Sequence, residues 1–185
     1  MNSLIYRKTL LAPFGNFTLY ATGDALVYAA FDNELAEAKR ARYFAAHYPH
    51  HVLSEGENDV IALASQELSE YFAGDRTDFS VALDYKGTRF QNTVWANIHR
   101  IPYGKIITYQ NLADISDCPK GSRSVGAGCG ANPIPVIVPC HRILGTSRGL
   151  TGFGGGLDVK VWLLQHEGHT IENGRFQGEF FQMSR

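Results

Sequence analysis

The sequence predicts an α+β protein in two parts, an α/β part over residues 1–85 and a mostly helical part carrying a helix-turn-helix over residues 86–185. Three observations predict it. Alternating strand patterns cluster near the start, helical spacing dominates the second half, and charge divides at the same place. Residues 1–85 hold 6 Lys/Arg against 12 Asp/Glu, while residues 86–185 hold 11 against 6. The second half is thus the one suited to meet a polyanion. At 185 residues, 44% apolar and 19% charged, the chain can bury a core in each part and has the composition of an ordinary globular protein.

The elements follow in order. Leu10 to Gly15 and Phe17 to Thr22 read as strands, Gly23-Asp24 as a turn, and Ala25 to Phe31 as the return strand of a hairpin. Glu34 to Tyr48 and Val60 to Phe72 show helical spacing, and Ala73-Gly74-Asp75 breaks the second of these. Phe79 to Leu83 alternates like another strand, and residues 73–89 serve as a connector. His47, His50 and His51 read as a solvated helix end, since no Cys or carboxylate stands at ligand spacing. In the second half, Phe90 to Ile101 puts Phe90, Val94, Trp95, Ile98 and Ile101 on one face. Thr108 is an N-cap for a helix over Tyr109 to Ile115, and a short turn leads to a second helix starting near Ser122 or Arg123.

That second helix, Arg123-Ser124-Val125-Gly126-Ala127-Gly128-Cys129-Gly130-Ala131, has three glycines, each costing about 1 kcal/mol relative to alanine. After Arg123 it carries almost nothing that reads base edges. A bare face suits close approach to a groove read by shape, and equally suits close packing on another helix. Asn132-Pro133 ends it. Ile134 to Val138 reads as a short buried strand, stiffened by Pro133, Pro135 and Pro139.

Cys140 and His141 stand at the end of that strand. A thiol with a pKa near 8.5 needs a base or a positive field to become a nucleophile. Strand neighbours point to opposite faces, so either the chain turns sharply after Pro139 or a water joins the two. Glu167 is a carboxylate able to orient His141. Three cysteines (Cys118, Cys129 and Cys140) without a Cys-x-x-Cys pair argue against a disulfide framework and a common structural zinc site. No run of roughly 18 apolar residues would span a membrane, and residues 1–8 show no secretory pattern. A cytoplasmic protein is expected.

The run Pro139-Cys140-His141-Arg142 after Asn132-Pro133 resembles the signature of the 6-O-alkylguanine-DNA alkyltransferases, the methylated-DNA–protein-cysteine methyltransferase family. The resemblance extends through Phe90-Gln91-x-x-Val94-Trp95, Ile101-Pro102-Tyr103-Gly104-Lys105, Thr108-Tyr109-Gln110-x-Leu112-Ala113, Arg123-Ser124-Val125-Gly126 and Gly155-Gly156-Leu157-x-x-Lys160-x-Trp162-Leu163-Leu164-x-His166-Glu167-Gly168, covering about residues 87–170. The first half is similar to the family's ribonuclease-H-like domain in its element order and its Pro13-x-Gly15 opening.

The resemblance implies direct-reversal repair. Cys140 accepts a methyl or other alkyl group from the 6-oxygen of guanine in duplex DNA, in one irreversible turnover without cofactor or metal. His141 takes the thiol proton through a water, Glu167 polarises His141, Asn132 acts as a hinge, and Tyr109 helps rotate the nucleotide out and donates to it. Arg123 fills the gap left by the flipped base, and Tyr109, Gln110, Ser124, Gly126, Ala127 and Thr146 meet DNA from the minor-groove side. Pro135, Val138, Ile143, Phe153, Gly154 and Gly155 form the substrate pocket, and a monomer is expected. The chain departs from the family at Phe153 (often tyrosine), Gly154 (serine in some members) and Gly130 (basic or polar in some). Gly130 predicts weaker DNA affinity, and together these departures predict a roomier pocket that accepts bulkier alkyl groups. The 4-oxygen of thymine is a further target the resemblance leaves open. The nearest rival reading, a damage sensor without transfer, belongs to relatives that replace the reactive cysteine. A transcription factor would need base-reading side chains on the second helix, and a cysteine hydrolase would turn over.

Overall fold

Alternation of Phe17 and Leu19 with Thr18 and Tyr20 builds the hairpin that the sequence predicts, inside a larger sheet. The computed structural model describes residues 4–185 and divides the chain into two units, Met1–Lys86 and Gly87–Arg185. The first contains a four-stranded sheet ordered β3-β2-β1-β4, with β1 Leu4–Ala12, β2 Gly15–Ala21, β3 Leu26–Phe31 and β4 Val52–Glu55. β1 and β2 pair antiparallel from Tyr6↔Ala21 to Ala12↔Gly15. β3 pairs antiparallel with β2, and β4 runs parallel to β1.

Helices cover both faces. α1 (Glu34–His47) starts where Asn33 accepts from the Ala36 amide at 2.9 Å, and it sets Phe44 against Tyr20 and Tyr28. α2 (Asp59–Ala73), capped by Asn58, buries Ile61, Ala64, Leu68 and Tyr71 at helical spacing. Its Phe72 meets Phe14, which packs on Phe17 and Phe31. Phe17 and Tyr20, three apart on one strand, point to opposite faces, so the two helices lie on opposite sides of the sheet.

Segment 79–83 is not a strand. Only Leu83 makes a bridge, to Leu26. The fully buried carboxylate of Glu67 accepts from the Ser80 amide at 3.0 Å, the Val81 amide at 3.1 Å and the Ser80 hydroxyl. With these donors satisfied by a side chain, the segment has no free row of amides for a ladder. β4 was not expected; its residues are mostly exposed on a sheet edge, so the sequence carries no apolar pattern there.

In the second unit, α3 (Arg89–His99) begins with a reciprocal capping box between Thr88 and Gln91 and stops two residues before Ile101, where the sequence reading ends it. β5 (Ile107–Thr108) leads into α4 (Tyr109–Ile115), whose cap Thr108 accepts from the Asn111 amide at 3.0 Å, as the sequence predicts. α5 (Ser122–Gly130) follows a tight turn. Gln110 closes that turn, donating to Pro119 O at 2.7 Å and accepting from the Ser122 hydroxyl at 2.9 Å. Asn97 ties α3 to the end of α4 through Ile115 O and Ser116 Oγ, both at 3.1 Å.

The α5 glycines do different work. At Gly128 a Cβ would lie 3.2 Å from Val94 Cγ1, and Trp95 Nε1 donates to the Gly128 carbonyl at 2.9 Å, so this glycine serves helix packing. A Cβ at Gly126 would only reach ordinary contact with the Tyr109 ring at 3.8 Å, and at Gly130 it would meet open space. After a single 3-10 turn at Cys140–Arg142, β6 (Ile143–Leu144) pairs parallel with β5. α6 (Leu157–His166) and a small hairpin of β7 (Ile171–Glu172) and β8 (Arg175–Phe176) complete the unit around Ile106, Leu144, Leu164 and Phe176. Among the described residues, no helix is long and apolar enough to cross a membrane.

Candidate active site

Proline shapes the approach to Cys140. The run Ile134 to Val138 does not form the expected strand, because Pro133, Pro135 and Pro139 lack the amides a ladder needs. It folds into a tight loop instead, with Val138 N donating to Ile134 O at 2.9 Å and Val136 at φ 75°. The chain then turns sharply after Pro139: Cys140 N donates to Val138 O at 2.8 Å and Arg142 N to Pro139 O at 3.0 Å. The sharp turn after Pro139 is therefore present.

Asn132 joins the end of α5 to the thiol. Its Nδ2 donates to Val138 O at 2.8 Å and to Cys140 Sγ at 3.2 Å, and its Oδ1 accepts from Ile134 N at 3.0 Å. Cys140 is 8% exposed. Around it stand Cys129 of α5, Tyr109 at the start of α4 and Lys160 of α6, close enough to alter one another's proton affinity. Burial, with Cys129 and Cys140 adding to it, pushes the Tyr109 phenol up to about 12 against a hydrogen bond with Thr151, so the phenol keeps its proton and can donate. Burial and the neighbouring Cys140 push the Cys129 thiol up. Lys160 is buried and donates to Ile143 O at 3.1 Å and Thr151 O at 3.3 Å. Burial pushes its ammonium down from the ordinary lysine value, with Cys140 and Cys129 opposing the change.

On the other side of the turn, His141 is fully buried. Its Nε2 lies 2.8 Å from Glu167 Oε1, and its Nδ1 has no hydrogen-bond partner among the described residues. Burial pushes the imidazole down despite the carboxylate beside it. Burial alone would raise Glu167, but His141 and Arg142 outweigh it and hold this carboxyl well below the usual carboxylate range. Arg142 is the permanent cation of the group, donating from Nε to Glu167 Oε2 at 2.8 Å and from Nη2 to Oε1 at 2.9 Å. The Gly104 amide adds a donor at 3.1 Å. An anionic Glu167 accepts a hydrogen bond from the Nε2–H of a neutral His141, which leaves Nδ1 as the basic nitrogen.

The remaining sequence-predicted residues lie in five places. Arg123, Ser124 and Ala127 lie exposed along α5 with Gly126 half-buried beside them, and Thr146 is exposed after β6. The Gln110 amide is engaged in the turn between α4 and α5. Pro135, Val138 and Ile143 are buried beneath the site, whereas Phe153, Gly154 and Gly155 are half-buried on the loop before α6. Arg142 and Lys160 were missed as site residues. Their signal was a basic residue inside an apolar stretch, Arg142-Ile143-Leu144 and Val159-Lys160-Val161-Trp162. Among the described residues, no group of three or more His, Cys, Asp or Glu could hold a metal ion, and no disulfide joins the three cysteines.

Two family models match the chain: the 6-O-methylguanine DNA methyltransferase ribonuclease-like domain over residues 5–85, and the DNA binding domain of the same methyltransferase over residues 89–169. A methylated-DNA–protein-cysteine methyltransferase of Mycobacterium leprae is 35% identical over 168 residues, covering 91% of this chain and 95% of that protein. The chain belongs to this methyltransferase family. Another member, from Mycolicibacterium paratuberculosis, is 46% identical over 89% of this chain and 93% of its own. The family fold is also that of the crystal structure of Mycobacterium tuberculosis OGT in complex with DNA, at TM-score 0.75 and 36% identity, over 88% of this chain and 92% of that one.

Proposed function

We propose that this chain carries out direct-reversal DNA repair, as a single-turnover methylated-DNA–protein-cysteine methyltransferase whose alkyl acceptor is Cys140. The observation that carries the mechanism is His141, buried, donating from Nε2 to Glu167 and keeping Nδ1 without a partner. Nδ1 takes the Cys140 proton through a water, and Glu167, held anionic by Arg142, stabilises the imidazolium that forms. The Asn132 amide, aimed at Sγ, stabilises negative charge on the sulfur.

The thiolate attacks the alkyl carbon. The S–C bond forms as the C–O bond breaks, and its electron pair leaves with guanine. Tyr109 keeps its proton and donates a hydrogen bond to the guanine as charge builds there. The thioether product offers no route back. Because the 6-oxygen lies within the base stack, the nucleotide must be flipped out. α5 enters the minor groove with its bare exposed face, Arg123 takes the vacated place, and Gln110, Ser124, Gly126, Ala127 and Thr146 border the DNA. Pro135, Val138, Ile143, Phe153, Gly154 and Gly155 form the pocket. It takes larger alkyl groups as well as methyl, since neither Phe153 nor Gly154 brings a hydroxyl into it. Residues 86–185 act as the alkyltransferase domain, residues 1–85 as the ribonuclease-H-like domain, and the protein works as a cytoplasmic monomer.

The test is an intact mass after incubation with duplex DNA containing 6-O-methylguanine. The expected result is a stoichiometric gain of one methyl group, lost in Cys140→Ala. Demethylation without modification of the protein would overturn the reading, as would binding of the lesion with no transfer.

A further inference from the structure

Phe153, Gly154 and Gly155 ride on a loop, residues 145–156, with no helix or strand of its own. Segment 174–185 holds that loop, and it lies beyond the residues matched by the DNA binding domain model. Leu150 N donates to Gly174 O at 3.0 Å and Phe176 N to Arg148 O at 2.9 Å. Arg175 Nη2 donates to Ser147 O at 2.7 Å. The Arg148 guanidinium donates to Gly178 O and sits 5.3 Å over the Phe180 ring. Arg148 itself has φ 64°, uncommon for a residue with a side chain.

The same segment then runs to the helix-turn-helix. Phe181 N donates to Ile106 O at 2.7 Å. Asn111, buried on α4, donates to Met183 O and accepts from Met183 N, both at 2.9 Å. Arg185 Nη2 donates to Asp114 O at 3.0 Å. One stretch of chain thus joins the pocket loop to the helix that begins with Tyr109.

We infer that segment 174–185 is a strap that fixes the pocket loop relative to Tyr109, with Arg148 and Arg175 as specificity-determining positioning residues at its loop end. The specificity part rests on the proposed function. A loop without a ladder of its own must have its backbone entropy offset by outside contacts, and here the strap bonds Ser147 O, Arg148 O and Leu150 N. Methyl offers the pocket little surface, so its transfer depends most on the loop being held in place; a benzyl group fills a loosened pocket with less loss.

The experiment compares the unmodified chain with Arg148→Ala, Arg175→Ala and the double variant, and adds Arg148→Lys as a conservative control. Two readouts are taken: amide hydrogen exchange at Leu150 and Phe176, and the ratio of single-turnover transfer rates from 6-O-benzylguanine and 6-O-methylguanine DNA. The strap predicts exchange about fivefold faster or more in the alanine variants, a rise in the benzyl-to-methyl ratio, and partial return of both in Arg148→Lys. Unchanged exchange overturns the strap, as does faster exchange with an unchanged ratio. Failure of the unmodified chain to transfer either group overturns the proposed function, and the exchange readout still judges the strap.

Discussion

Each of the two units buries one glutamate near an arginine. Glu67 of α2 faces Arg76 at 3.3 Å and takes two backbone amides and a hydroxyl. Glu167 faces Arg142 at 2.8 Å, takes one backbone amide, and also takes the Nε2 of a buried histidine. Burial and an ion pair are common to both, so neither marks a reactive site. The partners differ. All of Glu67's other donors hold a segment of chain in place, whereas Glu167 holds a base whose second nitrogen is unpartnered.

The largest effect that separates the two comes from Glu167→Gln. It leaves Arg142 buried without its counter-ion, which costs about 3–5 kcal/mol, and it removes the group that orients His141, lowering transfer by about 100-fold or more. A denaturant midpoint and a single-turnover rate read the two effects. Glu67→Gln is the matched control. Turning one of its two accepting oxygens into a donor that faces a backbone amide costs about 1–3 kcal/mol, with the transfer rate at a permissive temperature unchanged. If both variants slowed transfer alike, the contrast would be void.

Acidification sharpens the contrast through His141 and Glu167. Both are pushed down from their ordinary values in the folded protein, so the unfolded chain takes up each proton first. The contribution of His141 is present above the unfolded imidazole pKa of about 6.5 and declines as pH falls below it; that of Glu167 is lost below the unfolded carboxyl value of about 4.3. The urea midpoint is expected to fall between pH 7 and pH 5, with a shallower fall in His141→Gln. Equal midpoints at the two pH values in the unmodified chain would contradict the assignment.

The smallest effects lie on α5. Gly128→Ala needs Val94 to give by a few tenths of an ångström, and because Val94 is fully buried the expected overpacking outweighs the helix gain. Gly130→Ala meets open space and raises stability by up to about 1 kcal/mol. Thermal midpoints of the two variants should move in opposite directions.

Local chemistry was legible wherever it acted through neighbours in sequence. The Thr108 cap, the limits of α4 and the hairpin around Gly23 follow from residues a few positions apart. Segment 79–83 was misread because its alternation is real while its amides go to Glu67, more than ten residues away. The run before Cys140 has the apolar content of a strand, but its prolines lack the amides a ladder needs. At the site, Cys140, His141 and Glu167 stood out by residue type. Arg142 and Lys160 carry only the weaker signal of a basic residue inside an apolar stretch, and the fold shows both buried.

Cys129 carries a quieter consequence. Two thiols stand in one small site, and burial keeps the proton on the second. On the proposed function it is Cys140, toward which the Asn132 amide points, that takes the incoming alkyl group. A population of these molecules records its exposure as a tally, one mark per protein, and the fraction still unmarked is the capacity that remains.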